Sequence, residues 1–112
     1  MEQVTLISPI DGSIVAQREL ASDSQIEQVL TRAHAARRGW VATSIAQRAA
    51  IVERMVQYME ANATDIATEL TWQMGRPVRY TPNEILRGFQ ERSRFMASIA
   101  VESLGEIAVP QT

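Results

Sequence analysis

Residues 44–59 decide the fold, and they read SIAQRAAIVERMVQYM. Ser44 followed three positions later by Gln47 is the pattern of a capping box, in which each side chain bonds the backbone amide of the other residue. Apolar side chains then recur every three or four positions, a spacing that gathers them on one face of an α-helix. This stretch therefore predicts an amphipathic helix.

Similar signals predict a helix on either side of this one. Ser22 and Gln25 repeat the capping box, and Gly39 marks the expected end of that first helix. Asn62 is expected to cap a third helix, because asparagine is a favoured N-cap residue. Gly75, followed by Arg76-Pro77, marks the expected end of the third helix.

Two β-prone runs precede the helices, at residues 4–8 and 14–16. Asp11-Gly12 lies between them and is a turn signal, because glycine adopts a positive φ without steric cost. We therefore predict a β-hairpin over residues 4–20. A lone hairpin is marginally stable in water, so it should pack against another element.

The fourth helix should begin at residues 81–84, which read TPNE, since proline is favoured in the first helical turn. Together these patterns predict a mainly α chain in which the N-terminal β-hairpin is followed by about four helices. We expect a single incomplete domain over residues 1–112. Its helical segment covers residues 22–105, and residues 106–112 form a tail or the start of a strand.

The composition excludes several kinds of chemistry. The chain of 112 residues has no cysteine, and all 11 of its basic residues are arginine, so it has no lysine. A thiol nucleophile, a thiolate metal site and a lysine Schiff base are therefore absent from it. The net charge of −2 argues against a nucleic-acid partner, and no apolar run approaches the roughly 20 residues of a membrane helix. The sequence begins without a signal-peptide pattern, and we expect a cytoplasmic protein.

Few residues are candidates for a functional site. His34 is the only histidine, and without neighbouring ligands at metal-binding spacing it is interpreted as a helix-surface residue. Arg32, Arg37 and Arg38 could bind an anion, although cations near a helix C-terminus are also explained by the helix dipole. The other charged clusters are interpreted as solvated helix faces. They comprise Glu53, Glu60, Asp65 and Glu69, and Arg87, Arg92 and Arg94 interleaved with Glu84 and Glu91. We predict no catalytic, cofactor-binding or metal-binding residue.

Five stretches, in order, resemble the N-terminal part of the aldehyde dehydrogenase superfamily. Residues 8–14 (SPIDGSI) resemble its NPxxGxxI hairpin, and residues 33–40 (AHAARRGW) its A..A...W helix end. Residues 47–52 (QRAAIV) are similar to its RaxiL helix, and residues 69–77 (ELTWQMGRP) to its E...MGRP stretch. Glu84 stands where the family places a glutamate. Ser8 departs from the usual asparagine, and Arg76 from the common lysine.

The resemblance implies a longer parent enzyme with a Rossmann-like coenzyme domain, in which NAD or NADP oxidises an aldehyde to an acid through a cysteine. The family's catalytic and coenzyme-contacting motifs lie downstream of the matched segment. The resemblance therefore assigns none of them to this chain, and no cofactor is expected on it. The expected role is a structural, non-catalytic N-terminal fragment.

Two alternatives are open. The chain could be one subunit of a split dehydrogenase, or a non-enzymatic helical module that self-associates into an oligomer. The expected partner is accordingly the rest of the dehydrogenase chain, or a second copy bound through exposed apolar helix faces. No nucleic acid or membrane partner is expected.

Overall fold

The computed structural model describes residues 2–110 and confirms a mainly α fold with an N-terminal β-hairpin and four helices. The strands are β1 (Gln3–Ile7) and β2 (Ile14–Glu19), and the first three helices are α1 (Asp23–Val41), α2 (Ile45–Ala61) and α3 (Ala63–Met74). Helix α4 has three consecutive parts: Thr81–Asn83, a π-helical stretch at Glu84–Phe89, and Gln90–Ser103. Residues 106–110 of the predicted tail have no regular secondary structure, and residues 111–112 lie outside the described part.

The predicted hairpin is confirmed as an antiparallel pair with an irregularity between Leu6 and Ile7. Its connection is longer than a two-residue Asp-Gly turn and covers residues 8–13. Gly12 has the expected positive φ, of 76°. The Ser13 amide donates to Asp11 Oδ1 at 3.0 Å, and this local hydrogen bonding to Ser13 lowers the pKa of the Asp11 carboxyl.

Both predicted capping boxes are present. The Gln25 amide donates to Ser22 Oγ at 3.3 Å, and the Ser22 amide donates to Gln25 Oε1 at 2.8 Å. At the start of α2 the backbone amide of Gln47 donates to Ser44 Oγ at 3.1 Å, and the backbone amide of Ser44 donates to Gln47 Oε1 at 2.8 Å. Each box satisfies two backbone amides that a helix start otherwise leaves unpaired.

Two helix boundaries differ from expectation. The predicted end at Gly39 is wrong, because α1 continues to Val41. Asn62 lies between α2 and α3, but its side chain does not cap α3. Instead Asn62 Nδ2 donates to the carbonyl of Tyr58 at 2.7 Å and so closes the end of α2.

The hairpin connection packs against the end of α3. Gly75 follows α3 in a left-handed conformation, with φ 70° and ψ 16°, as predicted for a helix-ending glycine. A Cβ at Gly75 would lie 3.0 Å from Cγ of Pro9, so the two residues are in close contact. The neighbouring Ser8 is 1% exposed, and its Oγ accepts the Ile10 amide.

The buried apolar core is small and lies among α2, α3 and the π-helical stretch. Its described members are Val56, Ala63, Ala67 and Ile85. The radius of gyration is 19.8 Å, whereas a compact chain of this length has about 13 Å. The molecule is accordingly elongated, 67 × 40 × 27 Å. Within residues 2–110 no helix is both long and apolar enough to cross a membrane.

Candidate functional site

An ion cluster joins α2 to α4. Arg94 Nη2 lies 3.0 Å from Glu53 Oε1 and 2.8 Å from Glu60 Oε2, and Arg94 Nη1 donates to Gln90 Oε1 at 2.7 Å. The hydrogen bonds from Arg94 lower the pKa of the Glu53 carboxyl. The two carboxylates, Glu60 first, raise the pKa of the Arg94 guanidinium. One arginine thus holds two turns of α2 against α4.

The contacts between α2 and α4 define the relative direction of the two helices. Ile45, at the start of α2, and Leu104, just after α4, line the same surface depression, so the helices run antiparallel. Glu53 and Glu60 are seven positions apart, which is two helical turns, and both face α4. The cluster therefore holds the spacing of the depression beside it.

We call that depression the α2/α4 groove; its volume is about 420 Å³. It is lined by Ile45, Arg48, Ala49, Val52, Arg92, Ser93, Met96, Ala97, Ala100 and Leu104. Three of these ten residues are alanines, and the charged groups in the lining are the guanidinium groups of Arg48 and Arg92. No lining residue is a carboxylate or a histidine that could activate Ser93 as a nucleophile. The arrangement suits binding of an apolar surface rather than catalysis.

Arg48 also holds the junction between α1 and α2. Its Nη2 donates to the carbonyls of Trp40 at 2.9 Å and Thr43 at 3.2 Å, and its Nε donates to Thr43 Oγ1 at 2.9 Å. The guanidinium lies 5.0 Å from the centre of the Trp40 ring. A side chain from α2 therefore satisfies carbonyls at the end of α1, which explains why α1 continues past Gly39.

Helix α1 contributes no residue to the buried core. Its apolar residues recur at helical spacing and are exposed: Ile26, Val29, Leu30, Trp40 and Val41. An uncovered apolar stripe of this length marks an interaction surface or an aggregation liability.

The residues singled out in the sequence lie apart from the groove, with Arg92 the exception. His34, Arg37 and Arg38 line a shallow, exposed depression on α1 together with Val41. Arg32 is exposed on the same helix, and Asp65 and Glu69 are exposed on α3. Among residues 2–110 there is no cluster of three histidine, cysteine, aspartate or glutamate side chains that could hold a metal ion.

Glu53, Glu60 and Arg94 keep part of their solvent exposure, as interpreted from the sequence, but they pair between two helices rather than within one. Arg94 pairs across to α2 instead of with acids on its own helix, and Glu84 pairs with Arg76 at 2.6 Å. The side chains of Arg94, Glu53 and Glu60 are 37%, 39% and 29% exposed. The seven-residue spacing of the two glutamates could have indicated a shared face, but the sequence offers no signal that Arg94 lies opposite it.

Comparison with known proteins finds similarity over nearly the whole chain. Residues 1–111 match the model of the aldehyde dehydrogenase family. An aldehyde dehydrogenase of Paracoccus denitrificans is 35% identical over 104 residues, which are 93% of this chain and 20% of that protein. Acetaldehyde dehydrogenase of Pseudomonas aeruginosa is 30% identical over 83% of this chain and 18% of its own length. Aldehyde dehydrogenase B of Escherichia coli is 32% identical over 67% of this chain and 15% of its own length. The chain spans about a fifth of the length of the relatives it matches.

Proposed function

The chain belongs to the aldehyde dehydrogenase family, and from this premise we propose that it is a structural, non-catalytic N-terminal segment of an NAD(P)-dependent dehydrogenase. The complete enzyme would oxidise an aldehyde to a carboxylic acid. The observation that carries the proposal is a family match over residues 1–111 in a chain without cysteine or lysine. The cysteine nucleophile and coenzyme lysine implied by the resemblance would then come from the rest of the dehydrogenase.

The helix starts support assigning the coenzyme to that other part. A dinucleotide pyrophosphate binds free backbone amides at a helix N-terminus that follows a glycine-rich turn. At α1 and α2 the capping boxes of Ser22 and Ser44 each occupy one backbone amide of the first helical turn, and α3 begins directly after Asn62 without a preceding glycine. The start of α4 contains Pro82, which has no amide hydrogen to donate. None of the four described helix starts follows a glycine-rich turn, which supports assigning the coenzyme to the rest of the dehydrogenase. We therefore assign this chain no step of the reaction.

The proposal is tested by measuring turnover with and without the rest of an enzyme. The purified chain is incubated with NAD or NADP and a panel of aldehydes, and reduced coenzyme is followed by absorbance. We expect no turnover. Co-expression with the other four fifths of the Paracoccus denitrificans relative, named here the dehydrogenase remainder, should give activity. Sustained turnover by the 112-residue chain alone would contradict a non-catalytic role.

The same experiment addresses a split dehydrogenase, since activity from two separate chains is its defining property. A self-associating helical module is the second candidate, favoured by the exposed apolar stripe of α1. Sedimentation of the isolated chain distinguishes it, because a folded monomer at micromolar concentration contradicts self-association. A cytoplasmic location belongs to the proposal and is tested by cell fractionation.

A further inference from the structure

We propose that the α2/α4 groove is the docking site for an amphipathic helix of the dehydrogenase remainder, one that carries a carboxylate beside Arg92. This inference rests on the proposed function and assigns a definite surface to it. Three observations carry it: the exposed area of the chain, the shape of the groove and the charge at its rim.

The exposed area requires a large covering body. The accessible surface is 9387 Å², and a compact protein of this mass exposes about 6200 Å², an excess of about 3200 Å². A standard interface covers about 800 Å² per partner, and obligate dimers reach about 2500 Å² per partner. A second copy bound through one such interface therefore leaves part of this excess uncovered. A body several times larger than this chain, such as the dehydrogenase remainder, has the surface to cover it.

The shape of the groove fits a helix. Three lining residues are half-buried alanines, Ala49, Ala97 and Ala100, which we call its floor. Small residues there let a bulky apolar side chain insert between α2 and α4. Met96 and Leu104 border it and are 63% and 70% exposed, so their apolar surface is available for contact. A third helix laid along two antiparallel helices packs its ridge of side chains into the groove between them.

The positive charge of Arg92 at the edge of the groove favours a docked helix with an acidic side chain on one side. Arg48 is already bonded to carbonyls at the end of α1. Arg92 forms no ion pair with any residue in the described range 2–110. A carboxylate on the docked helix would pair with Arg92 as the interface excludes water, and such pairs set orientation and specificity.

The experiment compares two neighbouring alanines of α2. Ala49 lies on the groove floor, and Ala50 is exposed outside it, so Ala49→Arg and Ala50→Arg add the same side chain to different faces. Each variant is co-expressed with the dehydrogenase remainder, and retention of the complex on an affinity tag is measured. We expect Ala49→Arg to reduce retention about tenfold or more and Ala50→Arg to leave it within about twofold. Circular dichroism of each free variant checks that its helices are intact.

Arg92→Glu provides an independent variant, since it leaves the floor unchanged. It should weaken the complex about tenfold by placing a like charge beside the carboxylate. Equal retention of Ala49→Arg and Ala50→Arg, or no complex with the unmodified chain, would overturn the proposal. An isolated chain that is dimeric and becomes monomeric through Ala49→Arg would overturn it in favour of a second copy.

Different results would contradict the docking proposal and the proposed function. A complex that depends on Ala49 but oxidises no aldehyde supports the docking site and contradicts the function. Aldehyde oxidation that is insensitive to Ala49→Arg supports the function and contradicts the docking site. Residues 1–112 can also be fused to the same remainder in a single chain. Its activity tests the proposed function without requiring two separate chains to bind each other.

Discussion

The contact between the hairpin connection and the end of α3 is tested most directly by Gly75→Ala. A side chain at φ 70° costs about 1–2 kcal/mol for an L-residue. The new Cβ would also lie 3.0 Å from Cγ of Pro9, and relieving this crowding means shifting a connection in which Ser8 is buried. Overpacking of this kind costs about 1–3 kcal/mol. We therefore expect the free energy of unfolding to fall by about 2–5 kcal/mol.

Gly12→Ala is the matched control for this prediction. Gly12 has φ 76°, but a Cβ there would have nothing within 4 Å, so the variant should lose only about 1–2 kcal/mol. Urea unfolding followed by far-UV circular dichroism measures both losses. Adding Pro9→Ala to Gly75→Ala should cost less than the sum of the single changes, because the crowded pair is then absent. Equal losses in the two glycine variants, with additive behaviour at Pro9, would refute the packing of the connection on α3.

Two further predictions concern arginines that join one helix to another. Arg48→Ala should accelerate amide hydrogen exchange in the last turn of α1 about tenfold, because the charged donor to the Trp40 and Thr43 carbonyls is lost. Unchanged exchange there would contradict a stabilising role of Arg48 at the end of α1. The folded-state pKa of Glu53 is lowered, so pairing with Arg94 adds stability above the ordinary value of 4.5 that is lost as the pH falls through the lower folded-state value. The thermal midpoint should therefore fall more steeply below about pH 4.5 in the native chain than in Glu53→Gln, and parallel curves would show that the pairing adds nothing.

The features that the sequence predicted correctly are local. Each capping box lies within four consecutive residues, as at Ser22 and Gln25, so both partners are visible in one stretch. Gly12 and Gly75 likewise act through their own backbone conformation. The fold class followed from these signals together with the spacing of apolar residues.

The features that the sequence did not predict are set by another element. The end of α1 is determined by Arg48, which belongs to α2 and acts beyond the expected stop at Gly39. The groove depends on Arg94 lying opposite Glu53, and these residues are distant in the chain. The π-helical stretch at Glu84–Phe89 has no composition signal of its own. Spacing within one helix carries no information about which partner lies across from it.

The packing of Pro9 on Gly75 also orders the events of folding on the ribosome. The hairpin leaves the exit tunnel before the helices, whereas the glycine that it packs against is made only after α1, α2 and α3. An isolated hairpin is marginally stable, so we expect it to stay undocked while three helices emerge. Its docking then closes a long loop, an entropic cost that grows only slowly with loop length. The hairpin is thus translated before α3 but reaches its native position after it.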